Sequence, residues 1–227
     1  MMRGFSGRFR GRVAALAALA LLAGCVGAPQ RRPVRSAARP PIAAPPSETL
    51  AQCHARLDAN RVQYLDLPDQ DRGGGCTIVD SVKLLDIGVP TANLGAMTCE
   101  LAATFAAWAR YAVLPAGRIY LKSEVVRIET FGTYACRDMR GAGGTIAGRL
   151  SEHAHADAVD VSAFLLADGR RITVAGDWTE DDAAGKFLHV VHDSACRRFR
   201  TVLSPDYNSA HHDHLHFDMG GKATYCR

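Results

Sequence analysis

Six cysteines in residues 48–227 constrain the fold of this chain more than any other sequence feature. They are an even number and lie at positions 53, 76, 99, 136, 196 and 226. No two of them show the close spacing, two to four residues, that cysteine zinc clusters use. In an oxidising compartment they would form disulfide bridges. The sequence does not choose among the possible pairings, and the one bridge that we predict is Cys53–Cys76.

The N-terminal segment indicates that the chain is exported. Residues 1–12 carry four arginines and no acidic residue, and residues 13–23 are an unbroken run of Ala, Leu and Val. This apolar run has eleven residues, whereas a helix needs about 20 to cross a bilayer, so a transmembrane helix is the weaker interpretation. Residues 1–24 are therefore predicted to be a signal peptide.

A cysteine directly follows the apolar run. The sequence Leu22-Ala23-Gly24-Cys25 resembles the lipobox at which bacterial lipoproteins are lipidated and cut. The resemblance implies that Cys25 carries a lipid and begins the mature protein. We then expect a periplasmic lipoprotein of a Gram-negative bacterium, anchored to a membrane, the outer one by preference. An ordinary signal-peptidase cut near Ala23 or Ala28 is the alternative.

Residues 25–47 have the composition of a linker. Beyond Cys25 the segment repeats proline and carries four arginines, no acidic residue and no apolar periodicity, which favours an extended, semi-rigid stalk. The chain has a net charge of +4, but the eight arginines of residues 1–47 account for the excess, so residues 48–227 carry −4. A nucleic-acid-binding domain is expected to show a basic face, so that class of protein is disfavoured.

Residues 48–227 have the length of one domain, and their patterns predict an α+β fold. Ser47 and Thr98 can each cap an amphipathic helix, and the pattern of residues 180–201 predicts a third helix. We expect a central antiparallel sheet with flanking helices, stapled by disulfides. The sequence leaves the oligomeric state open.

Alternating apolar residues predict strands within residues 118–134 and 212–218, and an apolar run of residues that favour strands predicts another over residues 158–166. A short apolar run predicts another at Thr77–Val79, and a hairpin turn at Asp168-Gly169 leads into a return strand over residues 171–174. The glycine-rich residues 141–148 have no apolar strand before them and no Lys-Ser/Thr pair after them, so they are interpreted as a loop rather than a phosphate-binding loop.

Six of the nine histidines fall in two short segments, SEHAHADAVD at 151–160 and HHDHLH at 211–216. The other three, His54, His189 and His192, lie on predicted helices, where a surface or hydrogen-bonded core histidine is the ordinary interpretation. Clusters of this density indicate a metal site.

The two segments together offer the ligands of a catalytic zinc site. Such a site takes three protein ligands and keeps a fourth position open for water. His153 and Asp160 offer a nitrogen and an oxygen ligand, and His216 lies on a second predicted strand. Asp160 stands in an apolar segment, where burying an unpaired charge is costly, and metal coordination removes that cost.

These residues resemble a known peptidase motif. Ser151, His153, Ala158 and Asp160 are similar to the Ser-x-His-x-x-Gly-x-Ala-x-Asp motif of zinc D-Ala-D-Ala peptidases, and His214-Leu215-His216 resembles their His-x-His. That superfamily includes lysostaphin-type and penicillin-insensitive murein endopeptidases. Over about residues 48–227 the chain also resembles the bacterial extensin-like C-terminal domain family, through the segments TYACR at 133–137, SEHA at 151–154, AC at 195–196 and HHDHLHFD at 211–218.

The resemblance implies a zinc ion (Zn²⁺) held by His153, Asp160 and His216. It implies that His214 acts as the base, or as a stabiliser of the transition state, and that His211 is a further site histidine. It does not distinguish a murein endopeptidase from a carboxypeptidase.

The other site residues correspond less closely to the family pattern. Arg137 corresponds loosely to the arginine that stabilises the oxyanion in the dipeptidases, and Ser151 is expected to contact substrate. Ala156 replaces the glycine of the motif, which narrows the backbone conformations open to that turn. In the carboxypeptidases a glutamate three residues before the last histidine ligand serves as the base. Asp213 occupies that position here and is one carbon shorter, so the base is assigned to His214.

The sequence therefore predicts a zinc metallopeptidase that hydrolyses an amide bond of peptidoglycan. The main alternative is a non-catalytic, peptidoglycan-binding lipoprotein, but such a protein has no need of His211 and His214 in addition to three ligands. A periplasmic zinc buffer is disfavoured by Asp160, which an apolar strand holds rigidly. A serine nucleophile is disfavoured because no Gly-x-Ser-x-Gly is present.

Overall fold

The computed structural model describes residues 49–221 and 223–227. The predicted signal peptide, Cys25, the linker and the helix cap at Ser47 lie outside the described residues. Within them the chain mixes helices and strands in several sheets, in agreement with the predicted α+β class. None of the helices in this part is long and apolar enough to span a bilayer.

The strands of the described part are β1 (Gln63–Asp66), β2 (Gln70–Gly73), β3 (Cys76–Ile78), β4 (Ser81–Asp86), β5 (Thr91–Ala92), β6 (Ala96–Thr98), β7 (Val125–Gly132), β8 (Asp138–Gly141), β9 (Gly144–Leu150), β10 (Ala158–Leu166), β11 (Arg171–Thr173), β12 (Thr201–Leu203), β13 (Leu215–Asp218) and β14 (Tyr225–Cys226). The helices are α1 (Leu50–Ala59), α2 (Cys99–Trp108), α3 (Leu114–Ala116), α4 (Val174–Asp177) and α5 (Ala183–Cys196). Four single turns complete the set, π-helical at Ala109–Val113 and Gly117–Leu121 and 3₁₀ at Glu152–His155 and Ser209–His211.

The largest sheet has seven strands in the order β14-β12-β13-β10-β7-β5, with β11 paired to β10. Its central pairs are antiparallel, whereas the outer pairs β12–β14 and β5–β7 are parallel. The predicted antiparallel sheet is thus present at the centre and mixed at both edges. Smaller sheets are formed by β1-β4-β6, by β2-β3 and by the hairpin β8-β9.

Helices α2 and α5 cover one face of this sheet. Trp108 of α2 packs against Phe217 of β13 and Phe164 of β10, with ring centroids 5.0 and 6.2 Å apart. Its indole N–H donates a hydrogen bond of 2.9 Å to the carbonyl oxygen of Val191 in α5. A buried indole needs such a partner, so this bond fixes the two helices against each other and against the sheet.

Local signals explain where the helices begin. Thr98 caps α2, as predicted, by accepting a hydrogen bond from the N–H of Leu101. Thr49 rather than Ser47 caps α1, in a reciprocal capping box with Gln52. The predicted third helix is shorter than residues 180–201, because Asp182 caps α5 and so sets its first turn.

The opposite face of the sheet carries polar side chains at its centre. Along β13, Leu215 and Phe217 enter the hydrophobic core, whereas His216 and Asp218 line a cleft. This is the period-two alternation of a strand. The strand begins only at Leu215, so the predicted alternation is wrong for residues 212–214.

Asp160 and Phe164 are four residues apart on β10, so in a regular strand their side chains would lie on the same face of the sheet. A bulge between them places the two side chains on opposite faces. Val161 pairs with Thr130 and Ala163 with Glu129, so Ser162 is the extra residue on β10. Its hydroxyl donates to the carbonyl oxygen of Glu129 at 3.2 Å. Before the bulge the strand directs Asp160 to the cleft, and after it Phe164 to the core.

Two strand and loop predictions are wrong. Residues 118–121 are helical, because the chain continues from α2 through two π-helical turns to Leu121 before strand β7 begins. Residues 141–148 are not a loop, because Gly144–Leu150 pairs with Asp138–Gly141 as a hairpin. The second strand is almost wholly exposed, so it shows no apolar alternation.

The disulfides differ from the predicted pairing. Three bridges form, Cys53–Cys99, Cys76–Cys136 and Cys196–Cys226. The predicted bridge Cys53–Cys76 is wrong, because α1 packs against α2 and so presents Cys53 to Cys99. All six cysteines of the described part are paired, as the even count and the absence of close spacing suggested.

Candidate metal centre

Three potential metal ligands meet at the centre of the large sheet. Asp160 on β10 lies directly opposite His216 on β13, and His153 comes from the turn before β10. The Asp160 carboxylate is 2.9 Å from Nδ1 of His216 and 3.1 Å from Nε2 of His153. One ligand atom from each residue lies within 4.8 Å of the others, close enough for a single metal ion.

The outer nitrogen of each histidine is held by a hydrogen-bond acceptor. Nδ1 of His153 is 3.1 Å from the carbonyl oxygen of Thr133, and Nε2 of His216 is 2.9 Å from Oδ2 of Asp218. Contacts of this kind fix the tautomer and the ring orientation of metal-binding histidines. They direct the inner nitrogens, Nε2 of His153 and Nδ1 of His216, towards Asp160.

One inner nitrogen is without a hydrogen bond. His153 is 2% exposed, and its Nε2 has no hydrogen-bond partner among the described residues. The Asp160 oxygen at 3.1 Å lies within ion-pair distance of it but outside hydrogen-bond geometry. Two imidazole nitrogens and one carboxylate oxygen that face one another in this way are a donor set that fits a zinc ion.

The two charged ligands shift each other's ionisation. Burial alone would raise the pKa of Asp160, but its contacts with His153 and His216 outweigh burial and hold it well below its usual range. Burial alone would lower the pKa of His216, but the carboxylates of Asp160 and Asp218 raise it to about 10. Asp160 and His216 thus stay ionised although both are buried.

Two further histidines stand beside the ligands. His214 has its Nδ1 2.8 Å from Asp213 and its Nε2 3.5 Å from Asp160, and its ring packs edge-on against Phe131. The Nδ1 of His211 is 2.9 Å from the side-chain oxygen of Asn208. Burial, together with the nearby His216 and His214, lowers the pKa of His211 to about 4, so this imidazole is neutral at pH 7.

The cluster opens into a cleft of about 780 Å³. Arg137 and Ser151, the remaining predicted site residues, line the same cleft. The structure therefore brings together all seven predicted residues of the domain, namely Arg137, Ser151, His153, Asp160, His211, His214 and His216.

A comparison with protein-family models matches residues 51–227 to the family described as extensin-like protein C-terminus. The chain belongs to this family. Comparisons with curated proteins and with solved structures found no match. The matched region covers the whole cleft of the extensin-like domain.

The turn before β10 places Ala156 in a conformation that glycine adopts more readily. Ser151 caps the turn by accepting from the N–H of His153, and Ala156 ends it with φ of 54°. That left-handed conformation favours glycine, and the extensin-like domain holds an alanine in it. The substitution leaves His153 and Asp160 in contact.

The remaining histidines of the two clusters lie off the ligand set. His155 contacts the hydroxyl of Thr77 at 3.1 Å, and His212 is exposed at the rim of the cleft. The histidines outside the two clusters were predicted to be surface or hydrogen-bonded core residues. In agreement, His54 pairs with Asp66, and His189 contacts the carbonyl oxygen of Trp178. A second group of potential ligands, His192 with Cys196 and Cys226, has both sulfurs in a disulfide.

Sequence reasoning missed the residues that hold the histidines in place. Asp213 holds His214 and Asp218 holds His216. Asp218 could have been found, because it lies two residues after His216 and so on the same face of the strand. Asn208 and the carbonyl oxygen of Thr133 carry no such sequence signal.

Proposed function

We propose that the extensin-like domain is a zinc-dependent peptidase that hydrolyses an amide bond of peptidoglycan. His153, Asp160 and His216 would hold the zinc ion. The observation that carries the proposal is the convergence of two histidine nitrogens, each fixed from behind by an acceptor, on one buried carboxylate. The buried Nε2 of His153 faces the Asp160 carboxylate at 3.1 Å, so both ligand atoms are directed to the position that a zinc ion would occupy.

The chemistry divides between the ion and the protein. Zinc in such a site supplies Lewis-acid activation of water and of the scissile carbonyl group. His214 accepts a proton from the attacking water and passes it to the leaving nitrogen as the C–N bond breaks. Asp213, at 2.8 Å from Nδ1 of His214, keeps Nε2 directed to the cleft. The products are a carboxylate and an amine.

Arg137, which lines the same cleft, would support the reaction. It is half-buried, and burial lowers the pKa of its guanidinium group, a shift that the negative charge of Asp160 partly opposes. A guanidinium group in the cleft would stabilise the negative charge that develops on the carbonyl oxygen. Ser151 is buried and caps the turn of His153, so a contact of its hydroxyl with substrate stays a prediction.

Resemblance and export support the wall as the location of the substrate. The motif shared with zinc D-Ala-D-Ala peptidases and murein endopeptidases spans the three ligands and His214. A signal peptide, a lipid on Cys25 and the stalk over residues 25–47 would hold the domain in the periplasm, between membrane and wall.

Digestion of purified sacculi tests the proposal. Zinc-loaded protein is incubated with sacculi, and the released fragments are identified by mass spectrometry, which also identifies the bond. We expect release of fragments that depends on zinc and stops when a chelator is added. Zinc-loaded protein that binds sacculi but releases nothing would favour the non-catalytic wall-binding lipoprotein.

A further inference from the structure

The hairpin β8–β9 brings three arginines to one wall of the cleft. Arg137 precedes β8, Arg140 lies in β8 and Arg149 lies in β9, and all three line the cleft. Strand β8 also contacts the turn Ser209–His211, so the hairpin borders the candidate zinc site. Arg140 is close enough to disfavour the charge on Arg137 by repulsion. The wall is therefore electropositive.

A bulge in β9 accounts for the position of Arg149. Two consecutive residues of β8, Asp138 and Met139, pair with residues four apart on β9, so residues 147–149 are extra. Gly148 within the bulge has φ of 75°, and its N–H donates to the Asp138 carboxylate at 3.2 Å. Bulges next to active sites commonly redirect a side chain, and here Arg149 lines the cleft.

The guanidinium groups of this wall lack an acidic partner. Arg140 and Arg149 make no hydrogen bond or ion pair with any described residue. Arg137 donates to the backbone carbonyl oxygen of Asp138 at 3.3 Å. Unpaired guanidinium groups that share one wall of a cleft are suited to an anionic ligand.

Carboxylates that line the same cleft do not form ion pairs with the hairpin. Asp160, Asp213 and Asp218 each contact a histidine. No ion pair among the described residues joins Glu152, the fourth, to an arginine of the hairpin. Asp160 acts on Arg137 through its charge, but none of these acids pairs with Arg140 or Arg149, so these two arginines remain available to a ligand.

We infer that Arg140 and Arg149 bind a carboxylate of the substrate, so that the preferred substrate is an acidic peptide with a free carboxylate rather than its carboxamide. The inference rests on the proposed function and adds the substrate class to it. Arginine forms paired N–H···O bonds with a carboxylate. A carboxamide has a similar shape but no charge, so it isolates the electrostatic contribution.

The test uses two soluble peptides derived from peptidoglycan. The first carries a free carboxylate, and in the second the same group is a carboxamide. Wild-type, zinc-loaded protein is expected to cleave the first with a kcat/KM roughly tenfold higher, since exposed ion pairs are individually weak. The double variant Arg140→Gln/Arg149→Gln should lose this preference through a higher KM for the first peptide, with the second almost unaffected.

The matched control removes the same charge elsewhere. Arg127 and Arg197 are exposed and lie outside the cleft, so Arg127→Gln/Arg197→Gln should keep the preference for the carboxylate. Equal rates of wild type on both peptides would overturn the inference. So would an equal loss on both peptides in Arg140→Gln/Arg149→Gln.

Binding measurements separate this inference from the peptidase proposal. The affinities of the zinc-loaded proteins for the two peptides are compared by calorimetric titration. If no peptide is cut but the carboxylate peptide binds more tightly, and only the hairpin double variant loses the difference, the inference holds and the peptidase proposal fails. Equal binding of the two peptides, or no binding of either, would overturn the inference.

Discussion

Asp160 and His216 are direct partners across two antiparallel strands, and their side chains meet at 2.9 Å although they lie 56 residues apart in the sequence. A cross-strand pair of this kind is positioned by the backbone hydrogen bonds of the sheet. Sites built on strands are held more accurately than sites on loops. The sheet therefore positions two of the three candidate ligands, and only His153 depends on a turn.

Zinc binding and hydrolysis should be separable. Asp160→Ala removes the anionic ligand of the triad, so bound zinc after dialysis should fall well below one ion per chain and release of wall fragments should stop. His214→Ala leaves the three ligands in place, so zinc should stay near one ion per chain. Turnover should nevertheless fall by about 10²- to 10⁴-fold, the usual contribution of a positioned acid–base group.

Paired measurements of zinc content and of released fragments decide this division of roles. If His214→Ala loses its zinc, His214 is a ligand and its assignment as the base is mistaken. Asp160→Ala with a full complement of zinc would remove the proposed metal centre altogether.

Asp218 should tune the affinity for zinc without touching the ion. Its carboxylate holds Nε2 of His216 at 2.9 Å, and loss of such an outer contact commonly weakens metal binding by about 10- to 100-fold. Asp218→Asn keeps the shape and an oxygen acceptor but removes the charge. Competition with a chromophoric chelator measures the change in zinc affinity.

Asp213→Asn is the matched control for Asp218→Asn. Asp213 holds His214 rather than a ligand, so this variant should keep its zinc affinity and lose turnover. Equal zinc affinity of Asp218→Asn and wild type would show that the contact with His216 contributes nothing to metal binding.

Spacing, residue chemistry and family resemblance predicted the site better than the fold. His153, Asp160 and His216 were predicted as a set because a charge in an apolar strand needs a partner, and the structure brings the three together. The strand over residues 158–166 was predicted with its bounds, because this apolar run is rich in residues that favour strands and is followed by a hairpin turn signal. These signals are local.

Tertiary contacts account for most of what the sequence did not predict. Cys53 pairs with Cys99 because two helices pack together, and no local pattern records that packing. Residues 118–121 alternate like a strand, yet the preceding helix carries them into a π-helical turn. The strand of residues 144–150 is almost wholly exposed, so it has no apolar alternation to recognise.

The disulfide framework gives a chemical prediction. The denatured but unreduced domain should show no free thiol, because all six cysteines of the described part are paired. Proteolysis without reduction should yield linked peptides that contain Cys53 with Cys99, Cys76 with Cys136, and Cys196 with Cys226. Mass mapping before and after reduction checks both statements, and two or more reactive thiols per chain would contradict them.

Lipid anchoring through Cys25 predicts where the protein fractionates. Cys25→Ser should release the protein from the membrane fraction while the disulfide pattern of the domain stays unchanged. Cell fractionation followed by a salt wash is the measurement. Retention of the variant on washed membranes would show that something other than a lipid on Cys25 holds it there.

Asp157 should make the fold less stable as the pH rises towards neutrality. Burial raises the pKa of Asp157 from 3.8 to about 7, against the opposing effect of the hydrogen bond from Thr98, and the nearby acids Glu152, Asp218 and Glu100 add to the rise. The folded state therefore binds a proton between about pH 4 and 7 that the unfolded state has lost. The free energy of unfolding falls across this window as pH rises, and the contribution of Asp157 is flat above it.

The variant Asp157→Asn removes the ionisation and keeps an oxygen acceptor for the Thr98 hydroxyl. It should match wild type near pH 4 and be more stable by up to about 4 kcal/mol at pH 8, since the pKa of Asp157 rises by about three units and one unit corresponds to about 1.4 kcal/mol. Urea unfolding from pH 4 to 8, in the presence of a chelator so that zinc does not contribute, measures the difference. Subtraction of the wild-type free energy of unfolding from that of Asp157→Asn at each pH cancels the contributions of the other titrating groups.

Asp181→Asn is the control, because that side chain is 98% exposed. The difference in free energy of unfolding between this variant and wild type should not vary with pH. Parallel curves for wild type and Asp157→Asn would mean that Asp157 ionises normally in the folded protein.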